Sequence, residues 1–181
     1  MSHTSSARDA NLLGTLSLAV SDRLALAVGE ASGQGGAAPA ALVALATYLD
    51  GSSIDRLRRP LGLSHSAAVR LIDRLAQAGL VRRERAGDGR EVSVKLTAAG
   101  SDAAERIRLA RERALEAVLE PLDPAERETL ARVHETLLAG LTAGRADAQR
   151  LCRLCDAGAC GHEEGLCPVT RAADAAEGVP A

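Results

Sequence analysis

Apolar residues recur at helical spacing between positions 9 and 31, where Leu12, Leu13, Leu16, Val20, Leu24 and Val28 fall on one side. The glycine-rich segment 32–36 ends that helix. Residues 38–49 are almost wholly apolar, the pattern of a short helix buried on every side. Asp50-Gly51 closes it, and Ser52 with Asp55 three residues on opens a short capped helix through Arg59. Pro60-Leu61-Gly62-Leu63 reads as a turn, after which Ser64 caps a helix that runs to Ala78 and stops at Gly79. The period then changes to that of a strand. Residues 81–85 and 91–96 flank Gly87-Asp88-Gly89 and predict a β-hairpin, with Val92, Val94 and Leu96 alternating toward the core. Thr97 begins a long helix to about Leu119. Asp123-Pro124-Ala125-Glu126 carries a cap, a first-turn proline and a capping-box glutamate ahead of a helix bearing Leu130, Val133, Leu137, Leu138 and Leu141. Residues 1–8 and 171–181 lack apolar periodicity and read as a flexible N-terminus and a flexible tail.

Two short helices joined by a tight turn and followed by a basic hairpin are the element order of a winged helix-turn-helix. The second helix separates into two faces. Ala68, Leu71, Ile72 and Leu75 form an inward stripe, while Ser66, Arg70, Asp73 and Arg74 lie opposite, with Ser64 and His65 at the helix entrance. A helix of this kind fits the DNA major groove, where short hydroxyl donors near its N-terminus reach base edges or phosphates and an arginine fork meets guanine or phosphate. Ser64, His65, Ser66, Arg70 and Arg74 are therefore the candidate DNA contacts on the helix. Arg90, just behind the hairpin tip, is the candidate for the minor groove. The plainer reading is a helical pair in a bundle with solvated arginines.

Charge agrees with this placement. The 181-residue chain has a net charge of −2, yet residues 53–97 hold ten basic and five acidic side chains, a local +5. A basic surface on an otherwise acidic chain is the footprint of a phosphate-binding module. Aromatic residues make up 1% of the chain, which argues against modules that stack bases on aromatic rings. The N-terminal residues hold no apolar signal region, and the longest uncharged stretch, 31–49, is interrupted by glycines and Pro39, so a cytoplasmic protein without a membrane partner is expected. No nucleophile–base pair, carboxylate pair or phosphate loop stands out, and no enzymatic activity is expected.

All four cysteines, Cys152, Cys155, Cys160 and Cys167, lie within 16 residues, with His162 among them. Such clustering in a cytosolic protein favours metal over disulfides. The C-x-x-C turn aims two thiolates at one ion, and four soft sulfur ligands describe a structural zinc site. A set with His162 replacing one cysteine, an iron–sulfur cluster, and metal-free cysteines are the alternatives. A further alternative makes the cluster a redox or metal sensor that controls DNA release.

The run from Leu61-Gly62-Leu63-Ser64-His65-Ser66 through Arg70 and Arg74 to Gly79-Leu80-Val81 resembles the helix-turn-helix of the MarR family of bacterial transcription regulators. Asp88-Gly89-Arg90 with Leu96-Thr97-Ala98-Ala99-Gly100 is similar to that family's wing and following helix, although Gly89 stands where a second arginine is usual. The likeness spans roughly residues 9–148 in element order and is specific over 53–100. It implies a mostly α, winged helix-turn-helix fold with a two-stranded β wing and long N- and C-terminal dimerisation helices. It further implies a homodimer, a pseudo-palindromic duplex DNA operator and often a small-molecule effector. The expected organisation is a winged-helix and dimerisation domain at 9–150 with its DNA-binding core at 38–97, then a Cys-rich metal-binding extension at 151–170. The expected function is transcriptional regulation, most simply as a repressor, with zinc as the cofactor.

Overall fold

The computed structural model describes residues 2–85 and 92–179. Helix α2 (Ala38–Thr47) lies at its centre: every residue from Ala38 to Leu45 is buried, as its unbroken apolar run requires. Around it gather Leu49, Leu57, Ile72, Leu75, Val94 and Ile107, none more than 1% exposed. Apart from Leu49, these come from α3 (Ile54–Leu61), α4 (His65–Gln77), β3 (Val92–Leu96) and α5 (Ala98–Leu119). Helix α1 (Ser2–Ser32) lies along α5.

The helix pair α3–α4 is shaped by its caps. Ser53 accepts a hydrogen bond from the Arg56 amide, and Ser64 accepts one from that of Ala67. Between them Gly62 adopts φ 65°, a left-handed conformation that closes α3 at low cost only for glycine. The predicted turn at 60–63 is therefore shorter than expected. Pro60 stays inside the helix, because its fixed φ suits helical backbone and Gly62 performs the reversal.

The wing strands β2 (Val81–Arg85) and β3 pair antiparallel from Val81 opposite Leu96 to Arg85 opposite Val92. A third strand, β1 (Ser52–Ser53), pairs with the other edge of β3 and makes the sheet order β1-β3-β2. Two serines carry no periodicity, so this addition to the expected two-stranded wing was not readable. The inward alternation of β3 holds at Val94, which is fully buried, and fades at Val92, which is 41% exposed. Thr97 fastens the wing to α5: its hydroxyl donates to the Gly79 carbonyl at 2.6 Å, its amide donates to the Leu80 carbonyl, and its side-chain oxygen caps Gly100.

Helix α6 (Pro124–Gly140) starts with the full capping box of Asp123 and Glu126 and buries no residue completely. Its Val133, Leu137 and neighbouring Leu141 are 46%, 43% and 66% exposed. In α1, Leu12, Leu13, Leu16 and Leu18 are also exposed, so the stripe expected from residues 12 to 28 packs within the chain only from Val20 onward. Residues 6–32 of α1 have the length and apolar composition of a membrane span, although Asp22 and Arg23 interrupt them.

Both termini are more ordered than their composition implied. Helix α1 begins at Ser2, extended backward from its apolar part. After α7 (Arg145–Leu151), α8 (Pro168–Ala176) occupies the segment read as a tail. Pro168 supplies the first turn, and Val169 and Ala173, one turn apart, are buried. With Ala148 and Cys167 they form a small second core against Leu138.

Candidate nucleic-acid interface and cysteine centre

Helix α4 presents two faces as its sequence demands. Ala68, Leu71, Ile72 and Leu75 are buried, whereas Ser64, His65, Ser66, Arg70 and Arg74 are all exposed. The hydroxyls of Ser64 and Ser66 lie 3.3 Å apart beside the open amides of the first turn. Asp73, on the same outer side, is held by Arg83 of β2 at 2.7 Å. That ion pair ties the wing's first strand to α4 and draws one carboxylate away from the surface that carries Arg70 and Arg74.

The basic residues of 53–97 divide by partner. Arg58 and Arg59 hold Asp55, and its carboxyl lies below the usual range because Arg58 donates to it. Arg82 and Lys95 hold Glu84, which is likewise lowered, chiefly by the bond from Arg82. Among the described residues, Arg70 and Arg74 make no ion pair. Arg90, with Asp88 and Gly89, lies outside the described residues. Arg56 is the exception to the expected basic surface. It lines a cavity of 340 Å³ with Tyr48, Arg145 and all four cysteines.

The cysteine centre is where the C-terminal extension folds back onto the helix pair. Cys167 is buried, and Cys152, Cys155 and Cys160 are half-buried. Cys160 and Cys167 bring their sulfurs to 3.6 Å. The thiols act as alternating donors and acceptors. Cys155 donates toward Cys152, which lowers the latter and raises the former. Burial, helped by the bond to Cys167, pushes Cys160 up to about 12. Burial opposes ionisation of Cys167, but donors from Thr170, Cys160 and Val169 outweigh it and lower this thiol. An edge of about 3.8 Å is what tetrahedral sulfurs show when each is about 2.3 Å from zinc. Among the described residues, however, no group of three or more His, Cys, Asp or Glu side chains is arranged to hold an ion as it stands. His162 is exposed and paired through Nδ1 with the Thr170 hydroxyl at 3.0 Å.

Several contacts fix the centre to the remainder of the fold. Leu154, inside the C-x-x-C turn, packs against the main core. The Tyr48 hydroxyl donates to the Gln149 carbonyl at 3.0 Å, and burial pushes that phenol up to about 12. Asp156 accepts from Arg108 of α5 at 2.6 Å and from the Ala159 amide at 3.0 Å. Sequence reasoning missed Tyr48, Arg56, Arg108, Arg145 and Asp156. Only Asp156, immediately after the C-x-x-C turn, carried any local signal.

Residues 35–91 match the family model described as MarR family. Over that stretch, about a third of the chain, the sequence is similar to the MarR family. Solved structures agree with this in fold. RV1404 from Mycobacterium tuberculosis is 25% identical, with a TM-score of 0.62 over 71% of this chain and 88% of its own. A probable transcriptional regulator from Pseudomonas aeruginosa is 26% identical, with a TM-score of 0.54 over 69% of this chain and 96% of its own. A single-residue mutant of MepR from Staphylococcus aureus, solved bound to an oligodeoxyribonucleotide, is 16% identical, with a TM-score of 0.57 over 74% and 97% of the two chains. No curated protein matches significantly. The MarR match ends at residue 91, ahead of the cysteine centre, so it does not account for the chemistry of that extension.

Proposed function

We propose that this chain is a homodimeric, sequence-specific DNA-binding regulator of transcription that reads a pseudo-palindromic operator with α4 and the wing. Ser64, His65, Ser66, Arg70 and Arg74 enter the major groove, and Arg90 serves the minor groove. One observation carries the reading: the outer face of α4 collects small hydroxyls and two guanidinium groups without an ion pair among the described residues, while the nearby carboxylate is held by Arg83. MarR-family proteins are transcription regulators, and the MepR mutant was solved on an oligonucleotide, which supports the same use of this head. The exposed leucines of α1 and of α6 support dimerisation through those helices, since a monomer rarely leaves such faces open. Selection of bound duplexes from a random pool tests the reading, with enrichment of a two-fold motif expected. Recovery of no motif at low salt would overturn it.

The finer part of the proposal is a structural zinc ion held by Cys152, Cys155, Cys160 and Cys167. The four cysteines lining one cavity, the 3.6 Å approach of Cys160 and Cys167, and a second core of only four small buried residues support it. A core that slight needs a cross-link to order two helices. Elemental analysis of the reduced protein is the test. One zinc per chain is expected; iron with visible absorption, or no metal at all, would overturn the assignment.

A further inference from the structure

We infer that the flank of α4 bounded by Leu63, Ala67 and Leu71 is a seat for the 5-methyl group of a thymine, which makes Ala67 a specificity-determining residue of the DNA-reading head. The inference rests on the operator reading above and deepens it, naming one base that the head selects and the group by which it is selected.

The seat is a hollow of 180 Å³ lined by Ala37, Leu63, Ala67, Arg70, Leu71 and Arg74. Residues 67, 70, 71 and 74 recur at helical spacing and form one stripe along α4. Leu63 continues the stripe ahead of the helix, and Ala37, the residue before α2, adds a wall from outside the helix pair. Leu71 is buried, Leu63 and Ala67 are half-buried, and Arg70 and Arg74 are exposed, so the hollow grades from an apolar floor to a cationic rim. At about 30 Å³ per water molecule it has room for about six waters, enough for the methyl-bearing edge of one base. Ala67 lies in the first turn of α4, where its amide is held by the Ser64 hydroxyl at 3.2 Å. A helix in the major groove brings such N-terminal residues closest to the base edges.

The chemistry of the lining selects the base. In the major groove thymine shows a methyl group beside an acceptor and guanine shows two acceptors, whereas adenine and cytosine show amino donors. Guanidinium groups only donate. The hollow therefore offers apolar surface and donors but no acceptor side chain, and an adenine or cytosine amino group turned toward it would lose water without gaining a partner. Asp73, the only carboxylate on α4, is not part of the lining and is held by Arg83 at 2.7 Å. Ser64 and Ser66, whose hydroxyls can accept, lie 3.3 Å from each other at the helix entrance and also stand outside the lining. A thymine close to a guanine satisfies both parts, with its methyl group against Ala67 and Leu63 and the guanine acceptors toward Arg70. Three residues of helix rise about 4.5 Å from Ala67 to Arg70, against about 3.4 Å between base pairs. The thymine thus lies within about two base pairs of the guanine that Arg70 reads.

The test uses the full-length protein and an operator obtained by selection. Each thymine of a half-site is replaced in turn by deoxyuridine, which removes the methyl group and nothing else, and affinity is read by fluorescence anisotropy. One thymine is expected to show a loss of about fourfold per half-site, the effect of one buried methyl group, and of about fifteenfold when both half-sites are changed. It is expected within about two base pairs of a guanine whose methylation protection is lost in Arg70→Ala. In Ala67→Ser the ratio of thymine to deoxyuridine affinity at that position falls toward one, because a hydroxyl replaces the apolar contact. The ratio is taken within each protein, so a change in stability does not enter it. A two-fold motif in which no thymine methyl group matters, or a ratio that Ala67→Ser leaves unchanged, would overturn the seat and leave the operator reading standing. Recovery of no motif would overturn both.

Discussion

Replacement of Arg70 by alanine probes the proposed DNA-reading face most sharply, since general per-contact values set the size of the expected effect. Arg70 is exposed on α4 and makes no ion pair among the described residues, so its loss leaves the core intact and substitutes a better helix former. In the proposed dimer each protomer would offer Arg70 and Arg74, four guanidinium groups in all for DNA. At about 0.9 counterions per phosphate contact, these four contribute a slope of about −3.6 to log K against log salt. Raising salt from about 50 to about 200 mM then weakens that share of binding roughly 150-fold. Arg70→Ala removes two contacts per dimer, halving that share to about −1.8, or roughly 12-fold over the same range. At about 1 kcal/mol per lost contact, operator affinity falls roughly thirtyfold at moderate salt. Anisotropy titrations at four or five salt concentrations, with a thermal melt of each protein, read both quantities. An unchanged slope and affinity in a folded variant would refute the placement of α4 on DNA.

Three further outcomes follow from other parts of the fold. In Gly100→Ala the new Cβ would lie 1.9 Å from the Leu80 carbonyl oxygen, a backbone atom held in place by Thr97. A loss of about 3 kcal/mol, seen as a fall of roughly 6–12 °C in Tm, is expected, and an unchanged Tm would contradict the tight wing–α5 junction. Leu137→Arg, on the open face of α6, should convert the dimer to folded monomer in sedimentation; a persistent dimer would place the interface elsewhere. Zinc binding should release protons and tighten as pH rises, because free thiols titrate near about 8.5 and only thiolates ligate. Calorimetry in buffers of different ionisation enthalpy measures this, and zero proton release would contradict thiolate ligation.

The helix-turn-helix was legible because each of its local signals acts alone. Ser64 caps α4, Gly62 and Gly79 accept positive φ, and Ala68, Leu71, Ile72 and Leu75 fall one turn apart. The capping box at Asp123 and Glu126 was equally self-contained. What escaped depended on partners remote in the chain. Strand β1 exists through its register with Ser93 and Val94, not through any pattern in two serines. Helix α8 hides in an alanine-rich tail until Val169 and Ala173 meet Ala148 and Leu138. The cysteine spacing announced a cluster, but nothing in it announced Arg56 or Arg108, which arrive from α3 and α5. Arg56 shows the limit of counting charge by segment: it belongs to the basic stretch and faces the sulfurs.

The central claim, that α4 lies in a major groove, is tested most directly by methylation protection at guanine N7 on the selected operator. Protection of guanines in two half-sites about one helical turn apart is predicted, with loss of that protection when Ser66 and Arg70 are both replaced by alanine. Stable binding with every major-groove guanine still reactive would contradict the account.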